Sequence, residues 1–587
     1  MQDQILITVL LTLLIFLFIF GKFRFDAVSL VILSLFVLFG FISPSDAFSG
    51  FSHPAVITVA LVLLISKGLE KSGLISFIGL KMQSVISNQS QFMFLLLSIA
   101  FFLSSFMNNI GAMAMLLPIT LGICQKMNWN PSKFLMPLAF ASILGGMNTK
   151  IGTPPNIIIS EIRGEYSNSN FNFFDFSYVG IPVCIVGILF IAMIGWRLIQ
   201  IRPINTDNNN LIELSDYLVE MVIENQSKII DKTAAEFRKE LNTDTSLIGY
   251  VNEDNKKSEI HGNQKLFQNQ ILIFKLNPED LVDFQQRFGL KLFNQKDLYL
   301  LGNLGAIEAI ITPGSRLIGR KYDYFRRLIN ANLSLLGLWR RGLKYRFRLA
   351  NETFKVGDVL LLANRGEKDK IGEKLELAGL LPLWNRNFDI LRDHSKMALS
   401  LTIFIIALCF VIFDFLPIII SFLLCVLAFV GTKLIKGDGI YKHIEWPVII
   451  LLGAMIPIGE TLTEYGLSTL IASYISYLSI FGLIPILIIL IIITMFLSDI
   501  INNAATAVIM APIAVNIALK TNNSVDIFLM AVAIGSSCAF LSPIGHQCNT
   551  LVMGPGNYKF NDYWKLGLPL EIIIIIISIP CLIFFWG

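Results

Sequence analysis

Asn108 and Asn109 stand side by side in the apolar run FMNNIGAMAMLLPI (106–119), and Asn502 and Asn503 do the same in IINNAATAVIMAPI (500–513). A serine precedes each pair by about one turn: Ser104 and Ser498. Amide and hydroxyl oxygens are hard ligands for a small cation, and in hydrocarbon an unpaired polar group is costly. Two further segments carry a complementary chemistry, Gly152-Thr-Pro-Pro-Asn156 and Gly545-His-Gln-Cys-Asn549. Two prolines and a glycine cannot continue a helix, so backbone carbonyls and amides are freed there. Carbonyls suit a cation, and amides at a helix start suit an anion. A lone Asn more simply glues helices together. Recurrence beside a helix break favours paired cation sites around one anion, with Asn108, Asn109, Asn502 and Asn503 at the tips of two hairpins.

The elements that must hold these groups are membrane helices. The chain has 587 residues, 54 % hydrophobic and 15 % charged, with a mean hydropathy of +0.67. Soluble domains carry about 25 % charge, so an α-helical integral membrane protein is expected. Apolar blocks 1–202 and 396–587 flank a polar block 203–395. Crossings are expected near 5–21, 26–43, 54–70, 134–160 and 177–198, then 397–414, 416–433, 446–463, 527–553 and 566–586. Of these, 134–160 and 527–553 are broken helices. Polar residues interrupt one more segment in each block, near 88–125 and 482–519, read as re-entrant hairpins. The first run, ILITVLLTLLIFLFIF, has no basic leader and no small-residue cleavage site after it, which predicts a retained span.

The two apolar blocks repeat each other. Ser104, the Asn pair and Pro118 recur 394 residues later as Ser498, the second Asn pair and Pro512. Asp175-Phe176, Gly180 and Pro182 recur as Asp562-Tyr563, Gly567 and Pro569. Basic residues gather on alternate loops: Lys22 and Arg24; Lys67, Lys71 and Lys81; Lys126 and Lys133; Arg197 and Arg202; Lys433, Lys436 and Lys442; Lys559 and Lys565. The positive-inside bias then places both termini outside and the polar insert in the cytoplasm of a multi-pass, bacterial-type cell membrane. Five crossings and one hairpin per copy invert the second copy, a pattern found in transporters.

The insert carries its own repeat, offset by 88: Ser246-Leu-Ile-Gly249 against Ser334-Leu-Leu-Gly337, and NQSKIIDKTAAEF (from Asn225) against PGSRLIGRKYDYF (from Pro313). Short apolar strands alternate with charged helices, predicting a soluble tandem of α+β domains at about 211–290 and 300–380.

The membrane blocks resemble the divalent anion/sodium symporter family of the ion-transporter superfamily, in which two hairpins with Ser-Asn-Thr motifs face broken helices with a Gly-Thr-Pro-Pro-Asn-like turn. The resemblance implies sodium at Ser104, Asn109 and Gly152 and at Ser498, Asn503 and Gly545. It implies substrate contacts from Asn109, Thr153, Pro154, Asn503, His546 and Gln547, with Asn156 and Asn549 in support, and a homodimer. Both motif threonines are absent, replaced by Ile110 and Ala504, and the second turn reads GHQCN. A small inorganic oxyanion, sulfate, is therefore expected ahead of a dicarboxylate or citrate. ITPGSRLIGR (311–320) with FKVGDVLLLANRGEKDKI (354–371) resembles the C-terminal domain of potassium-conductance regulators (TrkA-C-like), which implies a regulatory small ligand or a docking module.

Other groups are weighed by the same rules. His546 lies in the broken helix and could make transport pH-sensitive, with protons the alternative coupling ion to sodium. Asp499 could neutralise a cation, serve as a cap or meet a basic residue. His53, His443, His261 and His394 are expected to be solvated or structural, and Glu460 and Glu464 to reach the outer interface. Met113, Met115, Met495 and Met510 are expected to fill the core. Arg316, Arg320, Arg326, Arg327, Arg340 and Arg341 are expected to form a solvated face. The seven cysteines form no CxxC pair, so no disulfide framework or zinc site is expected. The net charge of +4 is too small to imply nucleic acid. No catalytic nucleophile–base pair, cofactor motif or P-loop is visible, so neither an enzyme nor an ATP-driven pump is expected. A ligand-gated channel is the alternative of another class; no TVGYG-like filter occurs.

Overall fold

The computed structural model describes residues 2–20, 24–73, 82, 86, 88–127, 129–199, 218–225, 227–241, 245–251, 257–258, 260–275, 281–292, 306–312, 315–329, 333–340, 353–364, 375, 378–384, 394–435, 440–441 and 444–587. Lys22, Lys81, Lys436, Lys442, His443, Arg202, Arg341 and Pro313 lie outside the described residues, as do 203–217 and 293–305 of the insert.

Helices α1 (Gln2–Phe20), α2 (Phe25–Leu38) and α3 (Pro54–Lys71) open the first block. His53 starts α3: its side chain accepts the Ala55 amide, and Pro54 takes the first helical position, where a missing N–H costs nothing. α4 (Gln89–Phe106) and α5 (Asn109–Lys126) are joined by only two residues and pack on each other as a hairpin. α6 (Ser132–Gly146) and α7 (Pro154–Ser167) are the halves of one helix, broken at 147–153, and α8 (Ser177–Met193) closes the block.

The insert contains two sheets of one design. In the first, β1 (Leu218–Ile223), β2 (Ser246–Val251), β3 (Lys257–Ser258), β4 (Ile271–Lys275) and β5 (Leu290–Leu292) lie in the order β3-β2-β4-β1-β5. In the second, β6 (Ala306–Ile311), β7 (Leu333–Trp339), β8 (Val359–Asn364) and β9 (Leu380–Trp384) lie in the order β7-β8-β6-β9. All pairings are antiparallel, and the same register shift recurs at Leu247/Gly249 and Leu335/Gly337. Left-handed turns recur too, at Asp231 and Gly319 and at Gly289 and Gly379. Each sheet packs a helix, Ala234–Glu240 (α9) or Tyr322–Ile329 (α11), with Leu281–Phe288 (α10) between them in sequence. Arg340 departs from the expected solvated face. It makes a bidentate pair with the buried Asp358, 2.5 Å on each arm, because the turn at 355–358 aims that carboxylate inward.

The second block repeats the first: α12 (His394–Ile412), α13 (Ile418–Gly431), α14 (Trp446–Glu464), α15 (Leu467–Ser476), the hairpin α16 (Leu483–Ile500) and α17 (Asn503–Thr521), the broken helix α18 (Val525–Ser537) and α19 (Gln547–Met553), and α20 (Tyr563–Trp586). The short α15 between the third span and the hairpin was not anticipated. Among the described residues six helices are long and apolar enough to cross a membrane, and shorter apolar helices accompany them. This is a multi-pass membrane protein with a small sheet-containing insert. Met113, Met115, Met495 and Met510 are buried in its core.

Candidate functional site

Each hairpin tip is a capping device. The Asn108 oxygen accepts the Ile110 amide at 3.2 Å, and the Asn502 oxygen accepts the Ala504 amide at 2.9 Å. These two residues, expected among the cation ligands, are engaged as N-caps of α5 and α17. The second Asn of each pair turns inward instead: Asn109 is 2 % exposed and Asn503 6 %.

Asn109 sits among oxygens. Its Nδ2 faces three acceptors, Ser104 Oγ (2.7 Å), Gly152 O (3.2 Å) and Ser142 O (3.3 Å), for its two N–H donors, and its Oδ1 accepts from His546 Nε2 at 3.3 Å. The Ser104 hydroxyl in turn donates to Ser142 O at 2.6 Å. The histidine tautomer follows from its other nitrogen. His546 Nδ1 accepts the Cys548 amide at 3.1 Å, so the ring proton of the neutral form is on Nε2, facing Asn109. Gly146 makes room for this arrangement: a Cβ there would stand 2.3 Å from the Asn109 amide.

The second half reproduces these contacts. Ser498 Oγ lies 3.0 Å from Asn503 Oδ1 and donates to Ser536 O at 2.7 Å. The asparagines of the breaks act alike. Asn156 Nδ2 bridges Gly146 O and Thr149 O across the first gap, and Asn549 Nδ2 bridges Ala539 O and Ser542 O across the second. Hydroxyls tie each break to its hairpin, Thr149 to Ser105 O and Ser542 to Asp499 O. Gly152 and Gly545 press close enough that a Cβ would stand 2.4 Å from Gly146 O and 2.8 Å from Ser498 O respectively. The halves also interlock crosswise, α5 lying against α19 and α17 against α7.

The symmetry fails in three places. Among the described residues Asn503 Nδ2 is a buried donor without a partner, whereas the Asn109 amide has His546. Among the described residues Asp499 meets no basic residue; its Oδ1 accepts the Leu541 amide at 2.9 Å, and the carboxyl borders that of Glu571 on α20. Their counterparts in the first half are the neutral Ser105 and Cys184, bridged by the Asn148 amide. At one end of the molecule Arg163 on α7 clasps Asp526 on α18 through two 2.8 Å bonds. The matching clasp at the pseudo-symmetric position is neutral, Ser132 Oγ to Gly556 O at 2.8 Å.

The sequence reading missed Ser142, Gly146, Glu571 and the Arg163–Asp526 clasp. Only Glu571, a lone acid inside an apolar run, carried a signal that could have flagged it. Thr153 and Pro154 begin α7 at the site, and Gln547 begins α19.

The chain matches the model of the family described as citrate transporter over residues 15–535 and 478–587. It is 28 % identical to an uncharacterized transporter of Synechocystis sp., over 94 % of this chain and 92 % of that protein. It is 25 % identical to a putative sulfur deprivation response regulator of Chlamydomonas reinhardtii, over 94 % and 97 %. It is 23 % identical to sodium/sulfate cotransporter 2 of the same alga, over 55 % of this chain and 38 % of that protein.

Proposed function

The chain belongs to the citrate transporter family, a family of transporters rather than enzymes, and from that premise we propose that it is a secondary carrier taking up a divalent oxyanion, most favourably sulfate, with sodium. The observation that carries the reading is the repeated Ser–Asn–break cluster, Ser104–Asn109–Gly152 and Ser498–Asn503–Gly545, buried at the junction of hairpin and broken helix. Rotating the Asn109 amide by half a turn would direct Oδ1 at Ser104 Oγ, Ser142 O and Gly152 O. Four oxygens around one point repel each other unless a cation sits between them, and hard oxygens suit sodium. The anion is met by donors: the starts of α5, α7 and α17, the unpartnered Asn503 Nδ2 and the neighbourhood of His546. Ile110 and Ala504 offer no hydroxyl for a second carboxylate, which favours sulfate.

The family description and the match to a sodium/sulfate cotransporter pull in different directions on substrate. Citrate or a dicarboxylate is accordingly the second reading, and protons are the alternative coupling ion. Family membership sets the channel reading aside. In the proposed topology both termini face outside and the insert lies in the cytoplasm, which cysteine labelling from either side tests. A homodimer is expected from the resemblance, and the mass of the detergent-solubilised protein tests it. The TrkA-C-like character of the insert rests on its sequence, and binding of a small ligand to the purified carrier would test that.

The deciding experiment is radiolabelled sulfate uptake into proteoliposomes with and without an inward sodium gradient, with citrate or succinate as competitor. Sodium-dependent uptake indifferent to the competitors supports sulfate; uptake abolished by them moves the substrate to carboxylates. Asn109→Ala and Asn503→Ala are each expected to abolish coupled uptake in folded protein, and wild-type rates in both would remove the proposed site.

A further inference from the structure

Ile310 on β6 is paired with Val359 on β8 and with Leu381 on β9. The three form one row across adjacent strands. Side chains alternate along a strand, so Ala309 and Ile311 face the core of their own domain while Ile310 faces away. That outward row is not open to water. Ile310 and Val359 are fully buried within the same apolar cluster as the membrane helices, and Leu381 packs against it. β9 lies against α5, the inner helix of the first hairpin. The turn before β8 reaches the other half of the site: a Cβ on Gly357 would meet the Thr550 carbonyl of α19 at 3.5 Å. Thr550 is one helical turn from His546, about 6 Å along the axis.

The turn is held rigid before it docks. Asp358 accepts the Lys355 amide at 2.7 Å and both arms of Arg340, and Arg340 also donates to Thr353 O at 2.6 Å. Gly357 adopts φ +81°, a left-handed value natural to glycine.

The first copy provides the contrast. The same row there is Ile271–Val222–Lys291, in the same register, and Lys291 lies 3.7 Å from Glu224. Val222 and Ile271 are only partly buried, and neither belongs to the membrane cluster. One design of sheet thus occurs twice, and the copy whose row is wholly apolar is the one seated on the carrier.

We propose that the second copy of the insert is an autoinhibitory brake, seated by the Val359–Ile310–Leu381 row on α5 and by the Gly357 turn on α19. The proposal rests on the reading that these helices carry the transport site. Alternating access requires that α5 and α19 move. A body attached to both, and tethered to the two membrane blocks, opposes that movement until it lets go.

The test uses the full-length protein. Leu381→Lys installs the residue that the first copy tolerates at the same register position, so the sheet should fold; Ile271→Lys makes the like change in the undocked row as control. Two quantities are read: hydrogen exchange of the α5 and α19 amides, and initial uptake of sulfate and, separately, citrate into proteoliposomes under an inward sodium gradient. Leu381→Lys is expected to raise exchange in both helices and to speed uptake about three- to tenfold, a tenfold change being about 1.4 kcal/mol of barrier. Ile271→Lys should change neither. Unchanged exchange in Leu381→Lys, or raised exchange with uptake unchanged or slower, overturns the brake alone. A wild type that takes up neither anion defeats the functional reading and the brake with it.

Discussion

His546 Nε2 lies 3.3 Å from the Asn109 amide, joining the broken helix of the second membrane block to the hairpin tip of the first. The same imidazole caps α19 through Nδ1. One side chain thus performs two jobs that can be separated. Asparagine is a good helix cap but too short to reach Asn109, whereas alanine does neither and gives up about 0.5–2 kcal/mol of capping. His546→Asn is expected to keep the wild-type melting temperature and lose about tenfold or more in anion uptake, the effect of a hydrogen bond or two at the site. His546→Ala should lose both. Normal uptake in His546→Asn would show that the contact with Asn109 is dispensable.

Gly146 is where the helix ends and the oxygen cluster begins. A methyl group there would overlap the two heavy atoms of the Asn109 amide at 2.3 and 2.9 Å. Overpacking of this kind costs about 1–3 kcal/mol, and the strain falls on the residue proposed to hold the cation. Gly146→Ala should therefore raise the sodium concentration for half-maximal uptake much more than it lowers thermal stability. An unchanged sodium dependence would argue that Asn109 does not set it.

Asp499 and Glu571 are 5 % and 7 % exposed, and among the described residues no donor meets Asp499 Oδ2 or Glu571 Oε1. No ion pair of either occurs among the described residues. Glu571→Gln puts an amide, whose N–H can donate to Asp499, where the carboxyl oxygen has no partner, so it is expected to stabilise the protein by about 1 kcal/mol, read as a higher melting temperature in detergent. A lower melting temperature would mean that the carboxyl pair is matched by a charge it needs.

Arg163 holds Asp526 by two bonds and also donates to Ser169 O and Asn170 O, with its guanidinium 4.5 Å above the Phe171 ring. Arg163→Ala and Asp526→Ala should each destabilise the protein by about 1.5–3 kcal/mol, the range for hydrogen bonds to charged groups. The double variant should cost less than their sum, because the residues share one interaction. Strict additivity in the melts would show that the clasp is not one unit.

Much of this architecture was legible because it is written twice. Apolar runs of membrane length, the Asn pairs 394 residues apart and the Gly-Thr-Pro-Pro-Asn stretch are local properties, and they made a mostly helical, multi-pass chain legible. The alternation of short apolar strands with charged segments in the insert likewise signalled a sheet-containing region, while the strand order of its two sheets was not legible.

What stayed hidden was every contact made by backbone or by distant partners. Ser142 and Gly146 serve through a carbonyl and through the lack of a Cβ, and neither function has a residue-type signature. Asn108 and Asn109 are alike in sequence, and only the start of α5 makes one a cap and turns the other inward. The sequence by itself determined that this chain is a multi-pass membrane protein whose two apolar blocks repeat the same polar groups and breaks, since hydropathy, helix breaking and repetition depend on neighbours along the chain. Tertiary structure alone decided that Asn109 meets His546, that Asp499 borders Glu571, and that the apolar row of the second insert copy rests on α5, because pairing across hundreds of residues is set by how packed helices and sheets bring surfaces together.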